Sequence, residues 1–332
     1  MRFKKRLTGL LLLCSWAMGV QAQQDAQFSQ YIFNGIYINP AYAGYRQEWN
    51  ANAFYRRQWA GVPGAPETMS VAVDGSVNDD RVGLALLLSS DKVGAQTQQA
   101  AYLNYAYRLH FNEDASQLAF GIGAGITQQG LDPSKLQFAN PNEPNLSGAA
   151  QYMLLFDMRA GIYYTTATWF AGLSVDNLTA QYQAARKPLA KFIPAPKPHY
   201  YLTAGAMLRM NDDVYLKPVF LLKDDRGGPT SLDLNLFVLL KEMVWLGGGY
   251  RTAVDLYRKP DLQSNLTRSS AVIAMAEVFV LPELRIGYAY DYALNKYSSY
   301  NNGTHELSLG FYFKRAENSR SRALRQLRCS YF

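Results

Sequence analysis

The chain has 332 residues, with 33 Lys plus Arg against 26 Asp plus Glu, two Cys, and 18% charged beside 14% aromatic residues. It is too long for a disulfide-stapled miniprotein and too apolar for a disordered chain. The net charge of +7 sits at the two ends of the chain rather than along a groove, which excludes nucleic acid as a partner.

Residues 1–22 open with Arg2, Lys4, Lys5 and Arg6, continue as an apolar run from Leu7 to Val20, and end Val20-Gln21-Ala22. This is the pattern of an export signal cut after Ala22, with an apolar part too short for a permanent span. Its removal takes four positive charges and leaves 29 against 26. Cys14 follows Leu13, which is not the small residue that lipidation requires, so Cys329 is the one mature thiol and no intrachain disulfide is expected. Residues 23–47 come next. From Gln23 to Gly44 they are rich in Gln, Asn and Tyr, nearly uncharged, and without a clean period. They are too polar to face lipid and are expected to plug a lumen or to bind a partner on the periplasmic side.

From residue 48 the chain alternates with period two, about ten residues at a time. Fourteen such segments follow: 48–59, 67–75, 82–90, 98–111, 117–129, 152–164, 168–178, 199–210, 214–223, 231–240, 243–251, 269–280, 284–292 and 304–314. Every second connection is tight (Ser76 to Arg81, Asn112 to Ser116, Thr165 to Ala167, Asn211 to Asp213, Lys241-Glu242, Leu281 to Glu283). The others are mostly longer and concentrate Pro, Gly and Asn, as in 130–151, 179–198 and 252–268. Short turns on one side and long loops on the other predict an all-β fold, a single antiparallel transmembrane β-barrel over 48–314, with both termini periplasmic. The alternative is a soluble sandwich or propeller.

Strand faces favour the barrel. Leu118, Phe120, Ile122, Ala124 and Ile126 share one face against Ala119, Gly121, Gly123, Gly125 and Thr127; Leu232 to Leu240 oppose Asp233 and Asn235 in the same way. A lipid-facing band explains such rows without a second covering layer. Of the 24 Tyr and 5 Trp, those at 102, 105, 107, 163, 164, 169, 245, 250, 288 and 290 fall on strands, where some would form interfacial girdles. By the same parity Arg56, Asp74, Arg108, Asp157, Arg159, Asp176, Lys217, Lys223, Asp233, Glu277, Arg285 and Asp291 point into the lumen. Their mixed signs predict charge pairing or a plug rather than a charge-selective pore. Pro218 cannot donate to a ladder and predicts a bulge or a broken strand.

No motif for chemistry stands. Gly121-Ile122-Gly123-Ala124-Gly125 lacks the third Gly and the helix of a dinucleotide loop, so it is read as clearing lumen space, and no cofactor is expected. His305-Glu306 lacks the second His of a zinc helix, and the Asp pairs at 79-80, 212-213 and 224-225 are turn residues, so no metal is expected. His110, His199 and His305 show no local Ser or carboxylate constellation, which speaks against a hydrolase. The tail, 315–332, is basic, with Arg320, Arg322, Arg325 and Arg328 ahead of Cys329-Ser330-Tyr331-Phe332. It is a candidate dock for a periplasmic partner, the alternative being a frayed extension.

Asp25-Ala26-Gln27-Phe28-Ser29-Gln30-Tyr31 with Asn34, then Ile38-Asn39-Pro40-Ala41-Tyr42-Ala43-Gly44, resembles the opening of the PorP/SprF family of Bacteroidetes outer-membrane proteins. The resemblance continues through Tyr55-Arg56-Arg57-Gln58-Trp59, Phe170-Ala171-Gly172-Leu173-Ser174 and Gly303-Thr304-His305-Glu306-Leu307-Ser308-Leu309-Gly310 to the closing Cys-x-x-Phe. The resemblance implies a non-enzymatic component of type IX secretion in the outer membrane, linked in gliding bacteria to large adhesins. Its implied partners are outer-membrane lipid, a periplasmic ring of lipoprotein and soluble subunits, and a large surface adhesin or its C-terminal signal domain. The residues expected to meet a partner are Gln27, Phe28, Ser29, Gln30, Tyr31, Asn34, Asn39, Pro40, Arg320, Arg322, Arg325, Arg328 and Phe332. A passive transport channel is the rival reading.

Overall fold

The computed structural model describes residues 27–111, 116–136, 150–187, 193, 196–225, 228–259 and 270–313. The export signal and the basic tail, with Arg320, Arg322, Arg325, Arg328 and Phe332, lie outside the described residues. Fourteen strands form in chain order: β1 (Asn50–Arg57), β2 (Glu67–Val77), β3 (Val82–Val93), β4 (Gln96–His110), β5 (Gln117–Leu131), β6 (Gln151–Thr165), β7 (Trp169–Asp176), β8 (His199–Ala206, continued by Leu208–Arg209), β9 (Val214–Asp224), β10 (Thr230–Leu240), β11 (Val244–Val254), β12 (Ala271–Leu281), β13 (Leu284–Ala293) and β14 (Thr304–Tyr312). Each pairs antiparallel with the next, and β14 closes on β1 from Asn50 opposite Tyr312 to Arg57 opposite His305. Closure removes the sheet edges, as a strand surrounded by hydrocarbon requires.

The two ends of the barrel differ. One end carries the tight turns, where Asn78, Asp79 and Asp80, and again Lys241 and Glu242, take the left-handed backbone of compact hairpins. The other carries 58–66, 132–150, 177–198, 255–270 and 294–303, with two short exceptions, Gly94-Ala95 and 225–229. Outward rows stay exposed in mid-strand: Ile122 is 58% exposed and Leu103 69%. Leu86 stands opposite Leu103, and Tyr105 opposite Ile122. Such an apolar band has no place in water and matches a hydrocarbon surround. Of the girdle candidates, Tyr105, Tyr107, Trp169, Tyr250 and Tyr288 face out, whereas Tyr102, Tyr163 and Trp245 are buried in the lumen.

Pro218 breaks a ladder rather than inserting a bulge. β8 and β9 keep one register on both sides of it, Val219 opposite Gly205 and Leu216 opposite Leu208, but the pairing lapses at Ala206 and Met207, opposite Pro218 and Lys217. The Met207 N–H turns instead to the Thr168 carbonyl at 2.6 Å. A missing N–H on β9 accounts for the gap.

The segment ahead of β1 is inside the barrel. It has no strand period and folds as three short turns: a 3₁₀ turn at Tyr31–Phe33, α1 (Gly35–Ile38), and a second 3₁₀ turn at Pro40–Tyr42. Asn39 caps the last by accepting from the Ala41 N–H at 2.9 Å, with Pro40 in the first helical position. Local bonds such as Phe33 N to Gln30 O, Asn34 N to Tyr31 O and Tyr42 N to Asn39 O satisfy backbone groups that a lumen walled by side chains cannot. A second short helix, α2 (Ala180–Ala184), lies in the loop after β7 and packs with Met153, Leu155, Leu131 and Ala95. Among the described residues no helix is long and apolar enough to cross a membrane.

Candidate functional site

The lumen is where polar chemistry concentrates, and residues 27–47 occupy it. Phe28, Ser29, Gln30, Tyr31, Asn34, Asn39 and Ala43 are each no more than 2% exposed. The sequence-predicted partner residues of this segment therefore spend their side chains on the barrel wall. Phe28 meets Tyr37 edge-on at 4.9 Å and Phe54 at 5.6 Å; Phe33 meets Phe237 and Trp245 at 5.7 and 6.0 Å; Tyr42 meets Tyr163 at 5.7 Å. Such edge-to-face pairs fix orientation as well as burying area.

At the long-loop end the segment is clamped by charges. Arg56 on β1 pairs with Asp291 on β13 at 2.7 Å and with Glu306 on β14 at 2.9 Å. Arg251 on β11 pairs with Asp233 on β10 at 2.7 Å and with Asp291 at 3.1 Å. Two guanidinium groups thus face three buried carboxylates, Arg56 buried and Arg251 partly so, and the surplus negative charge needs further donors. The segment supplies them. Ser29 N–H and Gln30 N–H each donate to a Glu306 carboxylate oxygen at 2.8 Å, Ser29 Oγ donates to Asp291 at 2.7 Å, and Gln27 Nε2 donates to Asp233 at 3.0 Å. Backbone N–H groups aimed at a buried carboxylate make strong, charge-assisted bonds. With the segment in place each of the three carboxylates accepts from it as well as from the wall, and without it they lose those donors.

The middle and the short-turn end are held through backbone. Arg159 donates to the Tyr37 carbonyl at 2.8 Å, Ser174 Oγ to the Ile38 carbonyl at 2.5 Å, and Asn39 Nδ2 to the Ile162 carbonyl at 3.1 Å. Tyr31 OH accepts from Asn235 at 3.0 Å. Arg108 donates to the Ala43 carbonyl, and the Gly44 N–H donates to Asp74 at 3.0 Å. Inward glycines let the segment lie against the wall: a Cβ on Gly83 would strike the Ala43 carbonyl, on Gly121 the Ala41 backbone, and on Gly161 the Asn39 side chain. Clearing by Gly121 therefore makes room for the plug, while Gly123 and Gly125 make room for Arg159 and Tyr102.

Each inward charge predicted from parity on β1, β2, β4, β6, β9, β10, β12 and β13 is buried. Arg159 pairs with Asp176 at 3.0 Å, and Arg285 lies 3.1 Å from Glu277. Asp157 does more than pair: it accepts from Thr179 N and Ala180 N, both at 3.0 Å, and from Tyr102 OH at 2.8 Å, so it pins the start of α2 over the long-loop end. Sequence reasoning missed Glu306 and Arg251. Both alternate with outward residues, Glu306 with Leu307 and Leu309 and Arg251 with Tyr250, and parity alone would have placed them inside.

The histidines lie at separate places. His110 ends β4 on the short-turn side, His199 starts β8 beside Asn177 at 3.1 Å and Asp225 at 3.7 Å, and His305 meets Tyr288 OH at 2.7 Å on the outer wall. Among the described residues no group of three or more His, Cys, Asp or Glu is arranged to hold a metal.

The family model described as "Type IX secretion system membrane protein PorP/SprF" matches residues 20–311. No curated protein matches the chain in sequence. In three dimensions it is similar to the CymD monoaromatic hydrocarbon channel, with a TM-score of 0.52 at 11% identity over 86% of this chain and 94% of that one. It is also similar to the Acinetobacter baumannii outer membrane protein Omp33, with a TM-score of 0.44 at 5% identity over 80% of this chain and 98% of that one. At these identities the likeness to CymD speaks for the barrel fold alone.

Proposed function

The chain belongs to the PorP/SprF family of type IX secretion system membrane proteins, and on that premise we propose that it is a non-enzymatic outer-membrane scaffold of that system. In this reading the barrel anchors a periplasmic ring of lipoprotein and soluble subunits, or supports secretion and surface retention of a large adhesin. The observation that carries it is the filled lumen. A segment of the chain itself, completing a buried charge cluster at one end and bonded to Arg108 and Asp74 at the other, makes the barrel a rigid body rather than a conduit. With the lumen side chains spent on the plug, partner contacts fall to the rims: the long loops outside, and inside the short turns together with the basic tail of Arg320, Arg322, Arg325, Arg328 and Phe332. A cluster of arginines near a membrane surface suits an acidic partner or headgroup.

The test is affinity capture of the tagged mature chain from gently solubilised outer membrane, with mass spectrometry of what accompanies it, repeated on a chain ending at residue 313. Recovery of ring subunits or a large adhesin is expected, with ring subunits lost from the shortened chain. A barrel recovered alone in both preparations contradicts the scaffold role.

A further inference from the structure

The direction of the plug has a consequence for membrane topology. Gln27 bonds Asp233, close to the Thr230 end of β10, and Ser29 bonds Asp291, close to the Ala293 end of β13. Glu306 is close to the Thr304 end of β14, and Arg56 is next to the last residue of β1. All four strand ends lie at the long-loop end of the barrel: those of β1, β13 and β14 lead into 58–66 and 294–303, and that of β10 into the short connection 225–229. Gly44 instead bonds Asp74, and Ala43 bonds Arg108, close to the ends of β2 and β4 that lead into the tight turns at 78–81 and 111–116. The segment thus runs from the long-loop end to the short-turn end, and only then does the chain turn back into β1.

We propose that the amino-terminal end of the mature chain is presented on the long-loop, extracellular face, threaded through its own barrel. An even strand count places the two ends of the sheet on one side, but it does not place a terminus that continues through the lumen. Cleavage after Ala22 leaves four residues ahead of Gln27. Fully extended they reach about 14 Å. The way back from Asp291 to Leu284, the short-turn end of β13, is about 18 Å at a strand tilt near 40°, along a lumen that residues 27–47 already fill. The amino terminus therefore shares a face with the long loops, and a surface partner meets both together. A periplasmic partner is left with the short turns and the carboxyl-terminal tail. The inference depends on the plug's direction and on the short turns being periplasmic, and stands whether or not the secretion role holds.

The test is an epitope inserted between Ala22 and Gln23 of the full chain, probed with antibody on intact cells. The same epitope placed in the 255–270 loop and in the Lys241-Glu242 turn serves for comparison. The amino-terminal epitope is expected to label intact cells to the same extent as the long-loop one, while the turn epitope labels only after the outer membrane is permeabilised. Amino-terminal labelling that needs permeabilisation, or that is absent in both conditions, overturns the proposal. A chain carrying Asp25→Cys and Cys329→Ser, treated with a membrane-impermeant maleimide, repeats the test with a change small enough to spare assembly. Modification in intact cells supports the threading, and modification only after permeabilisation, or none in either condition, refutes it.

Discussion

Arg56 is the residue on which the long-loop end of the plug depends. It bridges Asp291 and Glu306 and donates to Ser29 Oγ at 2.9 Å, with its side chain 4% exposed. Removing one partner of a buried ion pair strands the others and costs about 3–5 kcal/mol. Arg56→Leu takes the cation from Glu306 and leaves Asp291 with Arg251 alone, and is expected to lower the unfolding free energy of the purified barrel by that order. The charge-conserving Arg56→Lys should lose less, because an ammonium keeps the charge but not the planar fork. An unfolding free energy for Arg56→Leu within about 0.5 kcal/mol of the parent, the range of an uninvolved site, would show that the cluster does not hold the segment. Much of this lumen chemistry was legible from period-two parity, because a one-residue slip would turn every side chain to the wrong face. Glu306 is masked by its place beside His305, where the pair imitates the start of a zinc helix, and Arg251 by its place at the end of the segment 243–251, where the alternation stops. Tyr102 and Trp245 carry no mark that separates a girdle from a lumen role. What decides is the parity of neighbours, Asn104 and Gly247.

Among the elements, the strands were the legible part, since rows such as Leu232 to Leu240 report lipid directly and tight turns announce themselves through Asn-Asp pairs. The segment ahead of β1 was legible only as a plug or a partner-binding stretch, and its turns, like α2, were not legible at all. Their helical turns span three to five residues, too few for a period to develop, and they exist because the barrel supplies partners far away in sequence. α2 starts where Asp157 accepts two N–H groups, and the Asn39 turn forms where Gly161 has no Cβ. Gly121→Leu tests the seating of the plug on β5. Its side chain would displace the Ala41 backbone, and overpacking of this kind costs about 1–3 kcal/mol. The expected outcome is a barrel that still shows heat-modifiable migration on gels but whose residues 27–47 become open to protease from the lumen. Protection equal to that of the parent would mean that the segment does not rest on Gly121. Pro218 belongs to this scale as well: one missing N–H leaves the β8–β9 ladder open without changing its register.

For the whole molecule, a closed fourteen-stranded sheet is wide enough to surround a solute path, and the same sheet with its own segment inside is a solid post. The fold class alone does not choose between them, since the CymD monoaromatic hydrocarbon channel shares the architecture. The choice comes from where residues 27–47 lie, which depends on their fit to inward glycines, aromatic rings and carboxylates scattered over most of the strands. The family's link to secretion and the filled lumen both support the proposal that the barrel works through its rims. Single-channel recording in planar bilayers tests this most directly. The intact chain is expected to be electrically silent, and a chain lacking residues 27–44 is expected to give steady openings. A steady ohmic conductance from the intact chain, unchanged by that deletion, would contradict the plugged scaffold.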